Sequence, residues 1–348
     1  MTQRGFEMEC RLDINVTQNG EYMEAYEFVD CSNLEQIGKG VTALAYKLDE
    51  SRMIKIYKEG ITLEQIENER SITQKICDYG VNTPMCYGTV RTNLGYGNIY
   101  RYLSGGTFTD HLLSSSRDSL NRWVIEYAKL AKSLNEKNAG DDLADYHTIL
   151  EGHLEISRDL LSEDVIAEIE RVLNAIPNSD NLLHGDMSTG NIMVERDQLF
   201  FVDLATVGKG HPIIDLSVPY MVTVMWPRFS EMARNMPEME REKRKDWFGY
   251  LNRYTEKSLP GEEGQLAWKL FLKTYFGLAS PEDDLIERLT DIIRYFSMAK
   301  YCLCGFFKRV YSRDLLDEMV NFYSSQLMSC KKPDMELLKD DKWNLQKA

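Results

Sequence analysis

Three oxygen-bearing side chains near the middle of the chain have the types and the spacing that metal-assisted chemistry needs. Asp186 ends a His-Gly-Asp triplet, and Asn191 follows after four intervening residues at the start of an apolar, strand-like run. A second apolar run, Leu199–Val202, leads into Asp203. The polar tetrapeptide 195–198 between the runs suits a hairpin turn, and antiparallel pairing then brings Asn191 and Asp203 to the same end of the hairpin.

This arrangement predicts a site for phosphoryl transfer. An amide oxygen and a carboxylate are hard ligands, which suit Mg²⁺ when phosphate oxygens complete its coordination shell. Asn191 and Asp203 are therefore the predicted metal ligands. Asp186 lies on an irregular loop, where a scaffold often displays functional groups. We expect Asp186 to be the catalytic residue that accepts the proton of an attacking hydroxyl.

The segment 182–215 resembles the catalytic core of the aminoglycoside phosphotransferase and choline kinase family. That family carries His-Gly-Asp where protein kinases carry His-Arg-Asp, places an aspartate on the strand after the catalytic loop, as at Asp203, and opens a later helix with another, as at Asp215. The resemblance implies that Asp215 braces the catalytic loop. It also implies transfer of the γ-phosphoryl group of ATP or GTP to a hydroxyl of a small molecule, with Mg²⁺ as the cofactor.

Two features count against a protein kinase. Gly185 stands where those enzymes carry the arginine of His-Arg-Asp, and no Ala-Pro-Glu segment follows Asp203. A nucleotide-binding or scaffold protein without catalytic activity on the same fold is the second hypothesis. It would need a missing phosphate-binding residue or metal ligand, and the sequence contains candidates for all of them.

The residues before the catalytic core contain a glycine-containing hairpin. Residues 35–48 predict a strand, a glycine turn and a second strand, in which Gly38 and Gly40 would let the backbone approach phosphates without an intervening Cβ atom. The motif is not a Walker A loop, because no Gly-Lys-Ser/Thr follows. An ordinary hairpin is equally compatible with this stretch.

Lys55 lies on an alternating strand shortly after this hairpin. Its neighbours Ile54 and Ile56 face the opposite side of the strand. In the resembled family a lysine on this strand contacts the α- and β-phosphates of the nucleotide. The alternative is an ordinary lysine that faces solvent.

A helix is predicted over residues 62–79 from its apolar periodicity. Glu69 lies on the apolar face of this helix, so we expect it to point into the lobe and to pair with Lys55. Glu64 and Glu67 remain alternatives for this pairing.

The predicted last strand of the first lobe, 98–103, runs into Ser104–Gly106. The resemblance makes 104–106 a hinge and places the backbone hydrogen bonds to the nucleotide base near Arg101 and Leu103. Side chains in this stretch do not distinguish ATP from GTP.

These elements predict an α+β, bilobal, protein-kinase-like fold. Residues 1–103 would form a small N-terminal lobe with an antiparallel sheet and one helix, including a strand or hairpin near residues 11–20. Residues 107–348 would form a larger helical lobe with the catalytic loop and the acceptor site, and the polar end of the chain, 331–348, would fray. His211 is expected to be a loop histidine, with contact to phosphate as the alternative.

Two stretches rich in aromatic residues and methionine have two possible uses. Residues 220–226 and 295–298 could line an acceptor pocket, although packing in the core is the more common use of such stretches.

Composition limits the partners. The chain of 348 residues is 43% hydrophobic and carries a net charge of −14, most of it after residue 106. An acidic surface argues against binding to nucleic acid and favours a cationic or polyhydroxy acceptor.

No apolar run is long enough to span a membrane, and seven scattered cysteines without CxxC pairs suggest reduced thiols. The N-terminus shows no signal peptide, so a cytoplasmic protein without membrane partners is expected.

The sequence does not identify the acceptor. The resemblance allows aminoglycosides, choline or ethanolamine, homoserine, methylthioribose and other sugars. The net acidity favours an acceptor that bears an amine.

Overall fold

The fold was analysed in a computed structural model that describes residues 26–40, 42–247, 249, 259, 261–278 and 283–343. The chain divides into two compact units, Met1–Ser104 and Gly105–Ala348. The strand or hairpin predicted near residues 11–20 lies outside the described residues.

The first unit is built on a six-stranded sheet. Its strands are β1 (Phe28–Val29), β2 (Glu35–Lys39), β3 (Ala43–Lys47), β4 (Arg52–Tyr57), β5 (Cys86–Thr92) and β6 (Gly95–Arg101). They are arranged in the order β1-β5-β6-β4-β3-β2. The prediction of a wholly antiparallel sheet is wrong in one detail, because β1 pairs with β5 in the parallel sense while the other pairs are antiparallel.

The predicted helix of this unit is confirmed as α1 (Leu63–Asp78). Thr62 caps its N-terminus in a capping box with Gln65, whose side chain accepts the Thr62 N–H. Gly80 follows the C-terminus with a φ of 71°, which suits glycine. Local signals at both ends thus fix the helix that carries Glu69.

The second unit is mainly helical. Its α-helices are α2 (Phe108–Ser114), α3 (Arg117–Asn135), α4 (Tyr146–Ser157), α5 (Glu163–Asn174), α6 (Ile213–Tyr220), α7 (Trp226–Arg234), α8 (Glu238–Lys243), α9 (Gly261–Phe276), α10 (Asp283–Cys302) and α11 (Arg313–Ser329), with a π-helical segment at Met221–Met225. Shorter 3₁₀ segments lie at Arg158–Leu160, Thr189–Asn191, Leu204–Thr206, Cys304–Arg309, Met335–Lys339 and Asp341–Trp343.

Two small antiparallel pairs carry the catalytic segment. β7 (Leu182–Leu183) pairs with β10 (Gly208–Lys209), and β8 (Ile192–Glu195) pairs with β9 (Gln198–Phe201). The turn of the second pair contains Arg196 and Asp197 with φ values of 50° and 65°, as the tight two-residue turn of a hairpin requires. The predicted hairpin is therefore confirmed.

The aromatic and methionine-rich stretches belong to the core of the second unit. Tyr220, Met221, Met225, Tyr295 and Phe296 are all 3% exposed or less. Their burial favours core packing, the more common use of such stretches, over the lining of an acceptor pocket.

The segment after α11 is folded at least as far as Trp343, so the prediction of a frayed end is wrong for this part. Burial of His211, which is 3% exposed, explains the order. Its Nδ1 accepts the Ile213 N–H (3.2 Å), so its Nε2 donates to the Leu338 carbonyl (3.2 Å), and its ring packs on Trp343. Burial lowers the pKa of His211 to about 3. His211 lies in the loop between β10 and α6, as predicted, and in this loop its side chain is buried.

In the part of the chain that the structure describes, no helix has the length and apolarity that crossing a membrane requires. The described cysteines, six in number, are all free thiols.

Candidate active site

Asp215 is the centre of the hydrogen-bond network behind the catalytic loop. It lies in the first turn of α6 and is fully buried. One carboxylate oxygen accepts the His184 N–H (2.9 Å) and the side-chain amide of Asn135 (2.9 Å), and the other accepts the Gly185 N–H (2.7 Å). Burial raises the pKa of Asp215, while these donors oppose that rise. The carboxylate thus fixes the backbone immediately before Asp186.

His184 connects the catalytic loop to the hairpin. The Asp186 N–H donates to its Nδ1 (3.3 Å), and since a backbone N–H can only donate, the ring proton must be on Nε2. Nε2 lies 3.1 Å from the carbonyl oxygen of Val202 and donates to it. In this tautomer the His184 ring links the Asp186 N–H to the Val202 carbonyl. The two segments that lead into Asp186 and Asp203 are therefore held together.

Gly185 is required both by the backbone conformation and by the available space. Its φ is 83°, and a Cβ atom would lie 1.5 Å from the Tyr146 hydroxyl oxygen and 2.5 Å from the Thr206 carbonyl oxygen. The Tyr146 hydroxyl donates to that same carbonyl at 2.5 Å. Tyr146 therefore occupies the space that any side chain at position 185 would need.

Asp186 and Asn191 are in direct contact. The Asp186 side chain is exposed, and the Asn191 side-chain nitrogen donates to Asp186 Oδ2 (2.9 Å) and to its carbonyl oxygen (3.1 Å). Because the amide nitrogen faces Asp186, the amide oxygen faces the other way. The Asn191 amide oxygen, a candidate metal ligand, therefore points away from Asp186, the candidate base.

Asn191 and Asp203 lie at the same end of the β8–β9 hairpin, as the sequence predicts. The Val202 N–H donates to the Asn191 carbonyl (2.9 Å), which closes the hairpin next to Asp203. Asp203 is exposed and adopts a left-handed conformation (φ 59°, ψ 61°), which aspartate tolerates better than most residues. An exposed carboxylate and an amide oxygen match the oxygen donors that Mg²⁺ prefers.

Among the described residues, no group of three or more His, Cys, Asp or Glu side chains is arranged to hold a metal ion. A metal bound by Asn191 and Asp203 would therefore take further ligands from a bound phosphate or from water.

Lys55 and Glu69 form an ion pair in the first unit. Lys55 Nζ lies 2.7 Å from Glu69 Oε1, and the two side chains are 17% and 6% exposed. Of the alternative partners, Glu64 is exposed and Glu67 forms an ion pair with Arg70. The structure thus brings together Lys55 and the glutamate that the helical periodicity favours.

The two glycines of the first hairpin have different surroundings. Gly38 lies in β2, where a Cβ atom would approach Ala45 Cβ to 3.3 Å. The Gly40 N–H donates to the Ala43 carbonyl (2.9 Å), and Lys58 Nζ donates to the Gly40 carbonyl (2.6 Å). Neither glycine has a positive φ, so the backbone conformation does not require glycine at either position. A phosphate would benefit only from the absence of a side chain, which lets it approach the backbone closely.

The predicted hinge contacts differ in their availability. The Arg101 N–H already donates to the Met85 carbonyl (2.9 Å), and the Tyr102 N–H donates to the Ser51 carbonyl (2.7 Å). A backbone donor to a nucleotide base would therefore come from Leu103, whose side chain is buried. The role of Leu103 stays a prediction.

Sequence reasoning missed the residues that support the catalytic loop from other elements. Asn135 donates to Asp215 and to the Leu182 carbonyl (2.9 Å each), and its amide oxygen accepts the Tyr275 hydroxyl (2.8 Å). Tyr275 and Asn135 are 140 residues apart in sequence, so no local pattern links them. The only local signal is a polar residue at the end of the apolar stripe of α3.

Lys300 also lies close to this network. Its ammonium donates to the Ile214 carbonyl (3.1 Å) and to the Ser217 hydroxyl (3.0 Å). Burial lowers the pKa of Lys300, and the negative charges of Asp215 and Asp186 act in the opposite direction. The side-chain nitrogen of Lys300 is therefore held beside the start of α6.

A comparison with protein families gives one match to this chain. The model described as "Phosphotransferase enzyme family" matches residues 33–245, which is more than half of the chain and includes Lys55, Glu69, Asp186, Asn191 and Asp203. No curated protein sequence matches the chain.

Solved structures share the fold at low sequence identity. The ADP-bound aminoglycoside phosphotransferase APH(2'')-Ib is 14% identical, with a TM-score of 0.53 over 88% of this chain and 94% of that one. A choline/ethanolamine kinase family protein from Mesorhizobium loti is 14% identical, with a TM-score of 0.54 over 90% and 92%. These similarities confirm the predicted α+β, protein-kinase-like fold.

Proposed function

The chain belongs to the phosphotransferase enzyme family, and from this premise we propose that it is a small-molecule kinase. It would transfer the γ-phosphoryl group of ATP or GTP to a hydroxyl group of a small acceptor. The observation that carries the proposal is the contact between Asp186 and Asn191 at the end of the β8–β9 hairpin opposite its turn, next to Asp203.

In this proposal Asp186 orients the acceptor hydroxyl and accepts its proton. Its carboxylate is exposed, while its backbone is held by His184 and, through the preceding residues, by Asp215. An exposed base on a fixed backbone meets the two requirements of general base catalysis, which are access to the substrate and a defined position. Proton transfer of this kind typically contributes about 10²- to 10⁴-fold to the rate.

Mg²⁺ would be held by the Asn191 amide oxygen and the Asp203 carboxylate. When bound, the ion neutralises charge on the phosphates and helps to place the γ-phosphoryl group. The hydrogen bonds from the Asn191 nitrogen to Asp186 support this assignment, because they aim the amide oxygen away from the base.

Lys55 would bind the α- and β-phosphates, with Glu69 holding its ammonium in place. The ion pair is mostly buried, so its geometry is well defined and the charge is less screened than at an open surface. The glycine hairpin at Gly38 and Gly40, together with the backbone at Leu103, would contact the rest of the nucleotide.

The acceptor is proposed to be a polyhydroxy or hydroxylated compound that bears an amine. The net charge of −14 supports a cationic acceptor. Solved structures with the same fold include an APH(2")-IIa complex with gentamicin, and an aminoglycoside is therefore one class to test first, with amino alcohols second.

The test is an ADP-release assay with Mg²⁺ and ATP or GTP against a panel of aminoglycosides, amino alcohols and sugars. We expect turnover with one acceptor class, lost in Asp186→Ala while binding of Mg²⁺·ADP is retained. Asp203→Ala should instead weaken the binding of Mg²⁺·ADP itself. Nucleotide binding without turnover on any acceptor would favour a catalytically inactive nucleotide-binding protein, and full turnover in Asp186→Ala would contradict the assigned role.

A further inference from the structure

Asn98 lies at the centre of a polar row behind the Lys55–Glu69 pair. The strand register places Asn98 opposite Lys55 on β4 and opposite Thr89 on β5, so the three side chains share one face of the sheet. Asn98 is fully buried. A fully buried amide needs hydrogen-bond partners for both of its ends.

The orientation of the Asn98 amide follows from its partners. Its nitrogen lies 3.0 Å from the Ile66 carbonyl oxygen, which can only accept a hydrogen bond, so the nitrogen must face α1. Its oxygen then accepts the Thr89 hydroxyl (2.7 Å). Ile66 lies one turn before Glu69, so this bond ties the sheet to the part of α1 that carries the glutamate.

The same amide nitrogen also orients two tyrosine hydroxyls. One of its two hydrogens is used by the Ile66 carbonyl, and the other points at the Tyr57 hydroxyl (3.2 Å) and is shared with the longer contact to the Tyr100 hydroxyl (3.4 Å). The Tyr100 hydroxyl donates to Glu69 Oε1 (3.2 Å). That oxygen is also the one that contacts Lys55. The Asn98 amide and the Tyr100 hydroxyl therefore lie in one buried polar cluster with the carboxylate that holds the lysine, and Tyr100 is the direct donor to that carboxylate.

Tyr57 completes the surroundings of Lys55. The Lys55 ammonium lies 5.2 Å from the centre of the Tyr57 ring, close enough for a cation–π contact. Burial raises the pKa of both Tyr57 and Tyr100, and the charge of Glu69 adds to the rise. Both hydroxyls therefore stay protonated at physiological pH.

We propose that Asn98 and Tyr100 are positioning residues for the nucleotide, acting through Glu69 and Lys55. The proposal rests on the proposed function, in which Lys55 binds the α- and β-phosphates. Without the Tyr100 hydroxyl, a mostly buried carboxylate loses one of its hydrogen-bond donors. Glu69 can then adopt other rotamers, and Lys55 loses its fixed position.

The test measures binding of ADP with Mg²⁺ by calorimetry, because this readout does not require a known acceptor. Tyr100→Phe removes one oxygen and conserves the ring, and we expect about tenfold weaker binding, the size of one hydrogen bond to a charged group. Tyr87→Phe is the matched control on the same sheet, where the side chain is 52% exposed, and it should bind as the wild type does. Asn98→Leu should weaken binding at least as much as Tyr100→Phe.

A double-mutant cycle separates positioning from a general structural effect. In a Lys55→Met background, measured with ADP at millimolar concentration, Tyr100→Phe should have no further effect on affinity. An equal loss in both backgrounds would overturn the proposal, as would unchanged affinity in Tyr100→Phe. Thermal unfolding of each variant identifies a loss of fold.

The outcomes for the proposed function are distinct from these. Wild-type protein that does not bind ADP would contradict the proposed function itself. Lys55→Met protein that binds ADP as tightly as the wild type would contradict the role of Lys55 in phosphate binding, and with it the positioning role of Asn98 and Tyr100, but not the kinase activity.

Discussion

Lys55 in the first unit and Asp186 in the second are both held from behind by buried polar groups, but the groups hold different parts of the residue. Lys55 is fixed through its side chain, by Glu69 and the neutral hydroxyl and amide groups behind it. Asp186 has an exposed side chain, and the backbone before it is fixed by the buried charge of Asp215.

This difference suggests which steps each region controls. A side chain held by side chains tolerates little change in its own surroundings, and loss of one contact should appear as weaker nucleotide binding. A loop held through its backbone leaves the Asp186 carboxylate exposed, as the proposed contact with an acceptor requires. Substitution of the residues that hold the loop backbone should therefore lower stability and turnover, while the affinity for nucleotide stays similar.

The largest effect is expected from Asp215→Asn. The substitution places an amide N–H₂ where the carboxylate accepts either the Gly185 N–H or the donors from His184 and Asn135, so two donors would face each other. We expect a loss of about 4 kcal/mol in the free energy of unfolding, as for breaking a buried charged network, and turnover at least ~100-fold lower.

Urea denaturation and turnover measurements check this prediction. Asp197→Asn, in the exposed hairpin turn, is the control and should change stability by less than about 0.5 kcal/mol. Unchanged stability in Asp215→Asn would show that the loop is held by something other than this carboxylate.

The next largest effect is expected from Gly185→Ala. The added Cβ meets the Tyr146 hydroxyl and the Thr206 carbonyl, and alanine is strained at a φ of 83°. We expect about 3 kcal/mol of destabilisation, and turnover should fall because Asp186 is displaced. Gly190→Ala in the same loop has its nearest neighbour at 3.9 Å and should be tolerated. Equal stability of the two variants, measured by urea denaturation, would contradict this account.

The His-Gly-Asp motif and the two apolar runs after it predict the loop and the hairpin, because the residues that form them are close in sequence. The supporting residues are not close. Asn135 and Tyr146 support the loop from two separate helices, and Tyr275 supports Asn135 from a third. Tyr100 reaches Glu69 from strand β6. Their roles depend on tertiary packing, which hydrophobic periodicity does not encode beyond the side of the helix or strand that is buried.

The same limit explains the error about the end of the chain, and why the burial of the loop residue His211 was not predicted. A glycine-rich loop and a polar segment both favour an exposed position when each is considered alone. The structure buries them against each other, since His211 donates to Leu338 and packs on Trp343. The helix at 63–78 was predictable because its cap and its stop are both local signals.

Burial of His211 predicts that the two units differ in how they depend on pH. The pKa of His211 is lowered to about 3, so the unfolded chain binds a proton near pH 6.5 that the folded chain does not bind. The free energy of unfolding should therefore fall as the pH drops below 6.5, by up to about 1.4 kcal/mol per pH unit from this residue, until the pH approaches 3. His153, whose pKa burial also lowers, contributes in the same direction.

Urea denaturation of the wild type and of His211→Gln at pH 7, 6 and 5 measures this contribution. Between pH 6 and pH 5 the free energy of unfolding should fall less in the variant than in the wild type. The difference should approach about 1.4 kcal/mol, which is the contribution of one bound proton per pH unit. An identical slope in both proteins would contradict burial of a neutral His211. Residues 1–104 contain no histidine, so nucleotide contacts of the first unit should depend less on pH in this range.

The smallest effect is expected from Thr62→Ala at the N-terminus of α1. Loss of the capping box should cost about 1 kcal/mol of stability. Glu69 lies about two turns away and keeps its hydrogen bonds, so affinity for ADP should change less than threefold. A large loss of ADP affinity would mean that the first unit, like the second, is controlled through the backbone.

The most direct test of the account compares wild type and Asp186→Asn in one measurement, the transfer of labelled γ-phosphate from ATP to the acceptor identified by the panel. We predict a fall in turnover of about 10³-fold with the affinity for Mg²⁺·ATP unchanged within about threefold. Wild-type turnover in Asp186→Asn, or a loss that comes entirely from weaker nucleotide binding, would contradict the assignment of Asp186 as the catalytic base.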